Sequence, residues 1–250
     1  PAAPSAAAGP RATPRSAVPV HVLHSATGCD GLTANREDAL RPGAAGFMLP
    51  PPPNLPTDAQ ILDNDHNTAD ALGDIPFVLQ DFPLATGVQI SPSVILKIVD
   101  DCPTCVMLKH EDWPGLEKIT TLRQASDAGS RRISILCGNG GMYLLEELLR
   151  GADGAMTGFG YPEMMAQVLG AVLSGDLDHA RDIFDAYMPM IRYEAQPGMG
   201  LAIRKYSLAR QGIIAHPTLR KPGAGLTPTA IAEIDVLAAR QAKRLAALGV

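Results

Sequence analysis

Short apolar runs of β-strand character alternate with longer stretches of helical period along most of this chain. Strands are predicted at Val18 to Leu23, Gly46 to Leu49, Pro76 to Leu79, Cys105 to Leu108, Arg132 to Cys137 and Gly154 to Thr157. Helices are predicted between them at Thr57 to Leu72, Ser91 to Asp100, Leu116 to Ala125 and Met142 to Arg150. Because neighbouring parallel strands need a long crossover connection, this alternation predicts an α/β fold built from parallel βαβ units.

The two ends of the chain have different patterns. Residues 1 to about 17 are mainly Ala, Pro, Ser and Arg without a hydrophobic period, which predicts a disordered tail. After the last predicted strand the pattern is purely helical, with Pro162 at a helix start and Thr227-Pro228 opening a final helix through about Leu248. Further helices are predicted there at Leu177 to Tyr187 and Leu201 to Gln211.

Composition excludes several classes of function. The 250 residues are 46% hydrophobic and carry a formal charge of -5, as expected of one soluble domain without a basic surface for nucleic acid. No apolar run approaches the roughly 20 residues of a membrane span, and the opening lacks a secretory signal pattern. We therefore expect no nucleic-acid or membrane partner and a cytoplasmic location.

The cysteines allow one alternative prediction, a redox-active site. Cys29, Cys102, Cys105 and Cys137 are scattered without a disulfide framework, which a chain of this size does not need. Cys102 and Cys105 have the CxxC spacing of a redox pair, but they precede a strand instead of opening a helix, where a thiolate would be stabilised. A zinc site would need a second CxxC or a spaced pair of histidines, so no metal is expected.

The strand that begins at Cys105 presents a lysine and a glutamate two residues apart. Side chains alternate across a strand, so Lys109 and Glu111 are predicted on one side, with Leu108 and His110 on the other. An amine emerging from an apolar strand loses hydration, which favours the neutral form that attacks a ketone to give a Schiff base. Glu111 is then placed to move protons. The alternative is a strand-end lysine beside a surface glutamate.

Further candidates follow the next two strands. Gly138-Asn139-Gly140-Gly141 is a turn whose backbone amides are able to approach an anionic ligand, or simply a tight turn that requires positive φ. Thr157 ends the last predicted strand and either lines a pocket or packs. The side chain of His110 faces away from Lys109 by alternation and is expected to be structural.

From about Gly43 to Leu237 the chain resembles the dihydrodipicolinate synthase and N-acetylneuraminate lyase family of class I aldolase-type barrels. The carriers of the resemblance are 75–83 (IPFVLQDFP), Thr86-Gly87, 107–111 (MLKHE), 138–141 (GNGG) and 150–157 (RGADGAMT). The resemblance implies a (β/α)8 TIM barrel with a C-terminal helical segment and an active site at the carboxyl ends of the strands. It also implies that Lys109 is the Schiff-base lysine, that the substrate is a small 2-keto acid, and that the protein is a homo-oligomer without cofactor.

One departure from the family concerns proton transfer. Members commonly have Tyr-Asn-x-Pro where this chain has Gln80-Asp81-Phe82-Pro83. Glutamine neither accepts nor releases a proton near neutral pH, so Gln80 is expected to orient substrate or water by hydrogen bonds. Glu111 is the nearest ionisable residue that could transfer protons in place of the tyrosine. The combination of Gln-Asp with Lys-x-Glu resembles the branch of 2-keto-3-deoxy sugar acid dehydratases, such as those of L-2-keto-3-deoxyarabonate.

A second departure concerns length. A barrel of about 250 residues spends about 31 on each βα unit, so a sixth-strand lysine is expected after about 150 residues; only 108 precede Lys109. The Gly-Thr-Thr-Gly-Glu type of segment that binds the substrate carboxylate is missing, and Ser25-Ala26-Thr27-Gly28 follows the wrong strand to replace it. We therefore expect a barrel that lacks, or has altered, its first two βα units. The expected organisation is a tail at 1–17, a partial barrel at 18–160 and a helical region at 161–250.

Together these features predict a Schiff-base-forming dehydratase that acts on a 2-keto-3-deoxy sugar acid. Lys109 and Glu111 are the catalytic candidates, and the substrate-binding candidates are Gln80, Gly138, Asn139, Gly140 and Thr157. The alternatives are a pyruvate-dependent aldolase and a dihydrodipicolinate synthase-like enzyme, both of which are disfavoured by the missing tyrosine. A hypothesis from another class is a catalytically inactive barrel remnant that serves as an assembly partner.

Overall fold

The computed structural model describes residues 23–25, 45–113 and 115–250. Six strands in this part of the chain form one sheet in sequential order, and each neighbouring pair is parallel. The strands are β1 (Leu23–Ser25), β2 (Gly46–Leu49), β3 (Phe77–Asp81), β4 (Cys105–His110), β5 (Ser134–Cys137) and β6 (Gly154–Ala155). Sequential parallel order is the order of a (β/α) barrel, with two strands fewer than eight among the described residues.

Helices connect the strands and then continue alone after β6. Those between strands are α1 (Asp58–Leu72), α2 (Pro83–Thr86), α3 (Pro92–Asp101), α4 (Leu116–Asp127) and α5 (Leu144–Leu149). Those after β6 are α6 (Glu163–Ser174), α7 (Leu177–Glu194), α8 (Gly200–Arg210) and α9 (Pro228–Leu248). The predicted α/β alternation followed by a helical region is confirmed.

Side-chain caps explain where several helices begin. The hydroxyls of Thr57, Ser91 and Thr227 each accept a hydrogen bond from a backbone amide three residues ahead. Such caps satisfy one of the amides that the first helical turn leaves without a partner. Pro92 and Pro228 then occupy the first helical position, where a missing N–H costs nothing. Capping residues visible in the sequence therefore set these helix starts.

The core lies between the sheet and its helices. Phe47, Leu79, Leu108 and Ile135, one from each of four neighbouring strands, are fully buried. Strands of a parallel sheet are covered on both sides, so they are rich in apolar residues. Burying one large aliphatic or aromatic side chain contributes about 1.5–3 kcal/mol. The hydrophobic layer thereby holds the carboxyl ends of the strands in a fixed relation.

The last helices pack on one another and on the segment after β6. Helix α7 contacts both α6 and α9. Phe159, Tyr161 and Tyr187 form a cluster whose ring centroids lie 5.8 to 6.3 Å apart. Tyr187 is on α7, so the aromatic cluster joins this helix to the chain that leaves the barrel. Within the described residues, no helix has both the length and the apolar character needed to cross a membrane.

Several element boundaries differ from the predictions. Strands β3 and β4 continue by two residues beyond their predicted ends, whereas β6 stops two residues earlier, before Thr157. Helix α7 continues through Pro189 to Glu194, although a proline removes one backbone donor. It continues because Met190 and Ile191, beyond the proline, are buried in the core. Most of the predicted strand from Val18 and the whole predicted tail at 1–17 lie outside the described residues.

Candidate active site

Lys109 and Glu111 lie together at the carboxyl end of β4. The Nζ atom of Lys109 is 2.9 Å from Oε1 of Glu111, and the two side chains are only 13% and 7% exposed. The expectation that they share one side of the strand is confirmed. Their burial contradicts the alternative of an exposed surface pair, which would be screened by solvent.

Gln80 completes the group from the neighbouring strand. It stands opposite Lys109 in the parallel register of β3 and β4. Its Nε2 donates a hydrogen bond of 2.6 Å to Oε1 of Glu111, the oxygen that also faces Lys109. We call Gln80, Lys109 and Glu111 the lysine cluster. It places an amine, a carboxylate and an amide at one position on the sheet.

The turn after β5 leaves room for Glu111 and holds its backbone. A Cβ atom at Gly138 would lie 2.1 Å from Cγ of Glu111, far inside contact distance. The side-chain amide of Asn139 donates to the carbonyl oxygen of Glu111 at 2.8 Å. The amide of Glu111 donates to the carbonyl oxygen of Asp81 at 2.8 Å. Glu111 is therefore fixed from both neighbouring strands.

Three amides of the glycine turn donate to acceptors within the protein, and binding of an anionic ligand by this turn stays a prediction. The amide of Gly138 donates to the carbonyl of His110, and that of Gly141 donates to Gly138. The amide of Gly140 donates to the hydroxyl oxygen of Thr157 at 2.8 Å. These donors are used because the turn joins the ends of three strands. Gly140 and Gly141 have φ values of +68° and +76°, which favour glycine and support the tight-turn alternative.

His110 lies on the opposite side of β4, as predicted, and packs in the interior. Its ring is 1% exposed and its Nδ1 atom is 3.2 Å from Oε1 of Glu147 on α5. A Cβ atom at Gly115 would lie 2.3 Å from Nε2 of His110. The imidazole is thus enclosed behind the sheet, away from the lysine cluster.

Sequence reasoning missed Lys118, which lies on α4. Its Nζ is 2.6 Å from Oδ2 of Asp81 and 2.8 Å from Oδ2 of Asp112, and its side chain is 8% exposed. Burial raises the pKa of Asp81, and the charge of Lys118 opposes that rise. Acidic residues directly after Gln80 and Glu111 were a signal for such a partner. Lys118 joins the strand ends that carry the lysine cluster.

The CxxC cysteines lack the features of a reactive redox pair. Cys102 and Cys105 are free and buried, and burial raises the pKa of their thiols to about 11 and about 12. Both thiols are therefore protonated near neutral pH and are weak nucleophiles. Cys29 lies outside the described residues. In residues 45–113 and 115–250, no three His, Cys, Asp or Glu side chains are grouped so as to hold a metal ion.

A cavity of about 420 Å³ lies beside the carboxyl ends of β3 to β6. Its wall includes Asn139 and Gly140 but not the lysine cluster itself. The C-terminal helices supply another part of the wall, including Glu194 and Arg204. The Nε of Arg204 donates to Oε1 of Glu194 at 2.7 Å. Burial raises the pKa of the Glu194 carboxyl, and its contact with Arg204 opposes the rise.

Comparison with solved structures supports this architecture. A dihydrodipicolinate synthase from Rhodopseudomonas palustris superposes with a TM-score of 0.84 and 50% identity, over 88% of this chain and 74% of that one. The 4-hydroxy-tetrahydrodipicolinate synthase of Methylacidiphilum fumariolicum SolV superposes with a TM-score of 0.77 at 20% identity. The latter likeness shows the fold alone. The fold of the described residues is therefore that of a TIM barrel with a C-terminal helical segment.

Sequence comparison points to the same family. An L-2-keto-3-deoxyarabonate dehydratase from Azospirillum brasilense is 30% identical over 89% of this chain and 72% of its own length. A 4-hydroxy-tetrahydrodipicolinate synthase from Chlorobium chlorochromatii is 23% identical, and the match spans 59% of that enzyme. The model of the dihydrodipicolinate synthetase family matches residues 32–240. The chain therefore belongs to the dihydrodipicolinate synthetase family and is of the lyase type found in it.

Proposed function

We propose that this protein is a Schiff-base-forming dehydratase of a 2-keto-3-deoxy sugar acid, such as L-2-keto-3-deoxyarabonate. The observation that carries the proposal is the 2.9 Å approach of Lys109 Nζ to Glu111 Oε1 inside a buried site. An amine and a carboxylate so close together are suited to covalent catalysis with proton transfer.

The proposed reaction begins at the C2 ketone. Lys109, as the neutral amine, attacks C2, and loss of the ketone oxygen as water gives a protonated imine. The positive nitrogen withdraws electrons and acidifies the C3 hydrogen. Glu111 removes that proton to give an enamine and passes it to the C4 hydroxyl, which the enamine then expels as water. Hydrolysis of the imine then returns Lys109 as the free amine.

Gln80 has a supporting role in this proposal. Its Nε2 donates to Oε1 of Glu111, so the amide orients the carboxylate that moves the proton. A glutamine cannot itself act as acid or base near neutral pH. A retro-aldol reaction would need a base at the C4 hydroxyl, and the family's tyrosine is missing at this position. Elimination of water needs a proton donor and not a base at this hydroxyl, and this difference supports dehydration over aldol cleavage.

Dihydrodipicolinate synthesis is the second candidate. The solved structure from Rhodopseudomonas palustris that bears this name is 50% identical over the aligned region. The glutamine at position 80 argues against the reaction, since the synthase needs a proton relay there. A direct comparison tests the choice: formation of 4-hydroxy-tetrahydrodipicolinate supports the synthase, and turnover of a 2-keto-3-deoxy acid alone supports the dehydratase.

Trapping of the imine tests the shared first step. The protein is incubated with pyruvate and borohydride, which reduces an imine to a stable amine, and its intact mass is measured. We expect one adduct that maps to Lys109. Lys109→Ala should lose both adduct and turnover while its circular dichroism spectrum stays unchanged, and Lys97→Ala, at an exposed lysine of α3, should keep both. Folded wild-type protein without an adduct would instead support the inactive remnant.

The setting of the reaction is part of the proposal. Small 2-keto acids are the expected partners, and a homo-oligomer in the cytoplasm is the expected form of the protein. Size-exclusion chromatography with light scattering tests the assembly. A monomer that turns over the substrate would contradict the expected oligomer but leave the proposed chemistry in place.

A further inference from the structure

The cavity beside the strand ends begins where the lysine cluster ends. Asn139 connects the two, because its side-chain amide donates to the backbone carbonyl of Glu111 and the residue lines the cavity. Phe82 and Trp113, which also line the cavity, follow Gln80 and Glu111 by two residues each. If a substrate is joined to Lys109 at C2, its remaining carbons have this cavity beside them.

The size of the cavity suits a ligand and not only a few waters. About 420 Å³ falls in the range of about 300–1,000 Å³ that is usual for small-molecule sites. The C4 and C5 end of a five-carbon acid, with its two hydroxyls, occupies only part of this space. The cavity therefore admits that end without any movement of the helices.

One charged pair determines what kind of ligand the cavity prefers. Among the residues that line it, Glu194 and Arg204 are the only charged ones in the described chain. Their side chains meet at 2.7 Å, so the pair has no net charge and does not attract a second anionic group. Glu194 is 4% exposed and also accepts from the amide of Gly160 at 3.0 Å. Glu194 is thus held from two sides, by Arg204 and by the amide of Gly160.

The guanidinium of Arg204 has N–H donors that no described residue of the protein accepts from. Among hydrogen bonds between described residues, Arg204 uses only its Nε, toward Glu194. Its Nη1 lies against Gly158, where a Cβ atom would come within 2.1 Å. A guanidinium carries five N–H donors, so hydrogen-bonding capacity remains for hydroxyl oxygens. The rings of Phe82, Trp113 and Phe159 in the same wall offer apolar contacts to the carbon atoms of a ligand.

We infer that this cavity binds the hydroxyl-bearing tail of the 2-keto acid, with Arg204 and Glu194 as the residues that select an uncharged, hydroxylated tail. The inference rests on the proposed function, because it takes the substrate to be held at Lys109. It adds a specificity role for the C-terminal helices: α7 ends at Glu194, and α8 carries Arg204.

Two independent variants test the inference. The double variant Glu194→Gln/Arg204→Met removes both charges together, so that no buried charge is left without a partner. Ala195→Trp fills the cavity from an exposed position and keeps the charged pair. Ala239→Trp, on the exposed side of α9, is the matched control. Pyruvate has no tail, so its borohydride adduct should form equally in all four proteins.

We expect a loss of catalytic efficiency that is confined to the substrate with a hydroxylated tail. For L-2-keto-3-deoxyarabonate, kcat/KM should fall at least ~10-fold in both cavity variants, mainly through KM, as expected for losing hydrogen bonds to a charged group. The control should match the wild type. Unchanged kcat/KM in both folded cavity variants would overturn the inference, as would an equal loss of pyruvate adduct and turnover.

A binding measurement separates this inference from the proposed chemistry. Trp113 is the only tryptophan of the chain and lines the cavity, so its fluorescence reports occupancy without turnover. L-2-keto-3-deoxyarabonate should change the Trp113 signal saturably, more weakly in the double variant, and pyruvate should not. A saturable change without any pyruvate adduct would refute the Schiff-base proposal but support binding of the acid in this cavity. An adduct without a Trp113 response to the acid would keep the Schiff-base proposal and overturn the inference.

Discussion

The Nζ of Lys118 lies 2.6 Å from Oδ2 of Asp81, although the two residues are 37 positions apart in the chain. The same ammonium is 2.8 Å from Asp112. Asp81 follows Gln80 and Asp112 follows Glu111, so one buried cation joins the two strand ends that carry the lysine cluster. The Oδ1 atom of Asp81 is buried without a hydrogen-bond partner among the described residues.

Removing this cation should destabilise the fold. In Lys118→Met the carboxylate of Asp81 stays buried without its partner, and such losses cost about 3–5 kcal/mol. We expect the urea midpoint to fall by a corresponding amount with an unchanged slope. Lys97→Met, at an exposed pair on α3, is the control and should leave the midpoint where it is. Equal midpoints for Lys118→Met and the wild type would show that Asp81 finds another partner.

Gly138→Ala should displace Glu111. The added Cβ would lie 2.1 Å from Cγ of Glu111, so the carboxylate must move away from Lys109. Turnover should fall at least ~10-fold, less than the ~100-fold expected for complete loss of a general acid-base group, while pyruvate is still trapped. Gly170→Ala, in α6, meets no atom within 4 Å and should keep full activity. A fully active Gly138→Ala protein would argue against a need for this placement of Glu111.

Glu111→Gln should separate imine formation from proton transfer. The amide fills the same space but cannot take the C3 proton. We expect the pyruvate adduct to form as in the wild type and turnover to slow at least ~100-fold. Single-turnover kinetics with mass detection measures both steps in one experiment. Equal turnover would assign the proton transfer to another residue or to water.

Asp65 should make stability depend on pH. It is buried on α1, and burial raises its pKa from 3.8 to about 7. Between these values the folded state binds more protons than the unfolded state, so stability falls as pH rises from about 4 to about 7. Above pH 7 the buried, ionised Asp65 lowers the free energy of unfolding by about 4 kcal/mol, as follows from the difference between the two pKa values. Asp65→Asn should therefore raise the urea midpoint at pH 8 more than at pH 5; an equal gain at both would contradict this.

Local patterns were sufficient to predict much of the fold. The alternation of strands and helices is visible because each element repeats apolar residues at its own period. The shared side of Lys109 and Glu111 also follows from strand alternation, which needs no knowledge of the rest of the chain. The extension of α7 beyond Pro189 was missed because it depends on the burial of Met190 and Ile191 against other helices.

The parts of the site that were missed depend on contacts between residues that are far apart in the sequence. Nothing near Lys118 in the sequence shows that it is buried between Asp81 and Asp112. The contact between Glu194 and Arg204 likewise depends on how α7 and α8 turn back over the strand ends. The roles of Gln80, Asn139 and Thr157 in substrate binding stay predictions, although the structure places Gln80 and Asn139 in contact with Glu111.

The contact between Arg204 and Gly158 has a consequence for shortened forms of the protein. Arg204 belongs to α8, whereas Gly158 belongs to the segment that leaves β6. A truncation after α7 would keep every described strand, the lysine cluster and the ion pairs of Lys118 with Asp81 and Asp112. It would nevertheless remove one side of the cavity and leave Glu194 without its guanidinium. Deleting residues that lie far from Lys109 in the chain would thus change which molecules reach it.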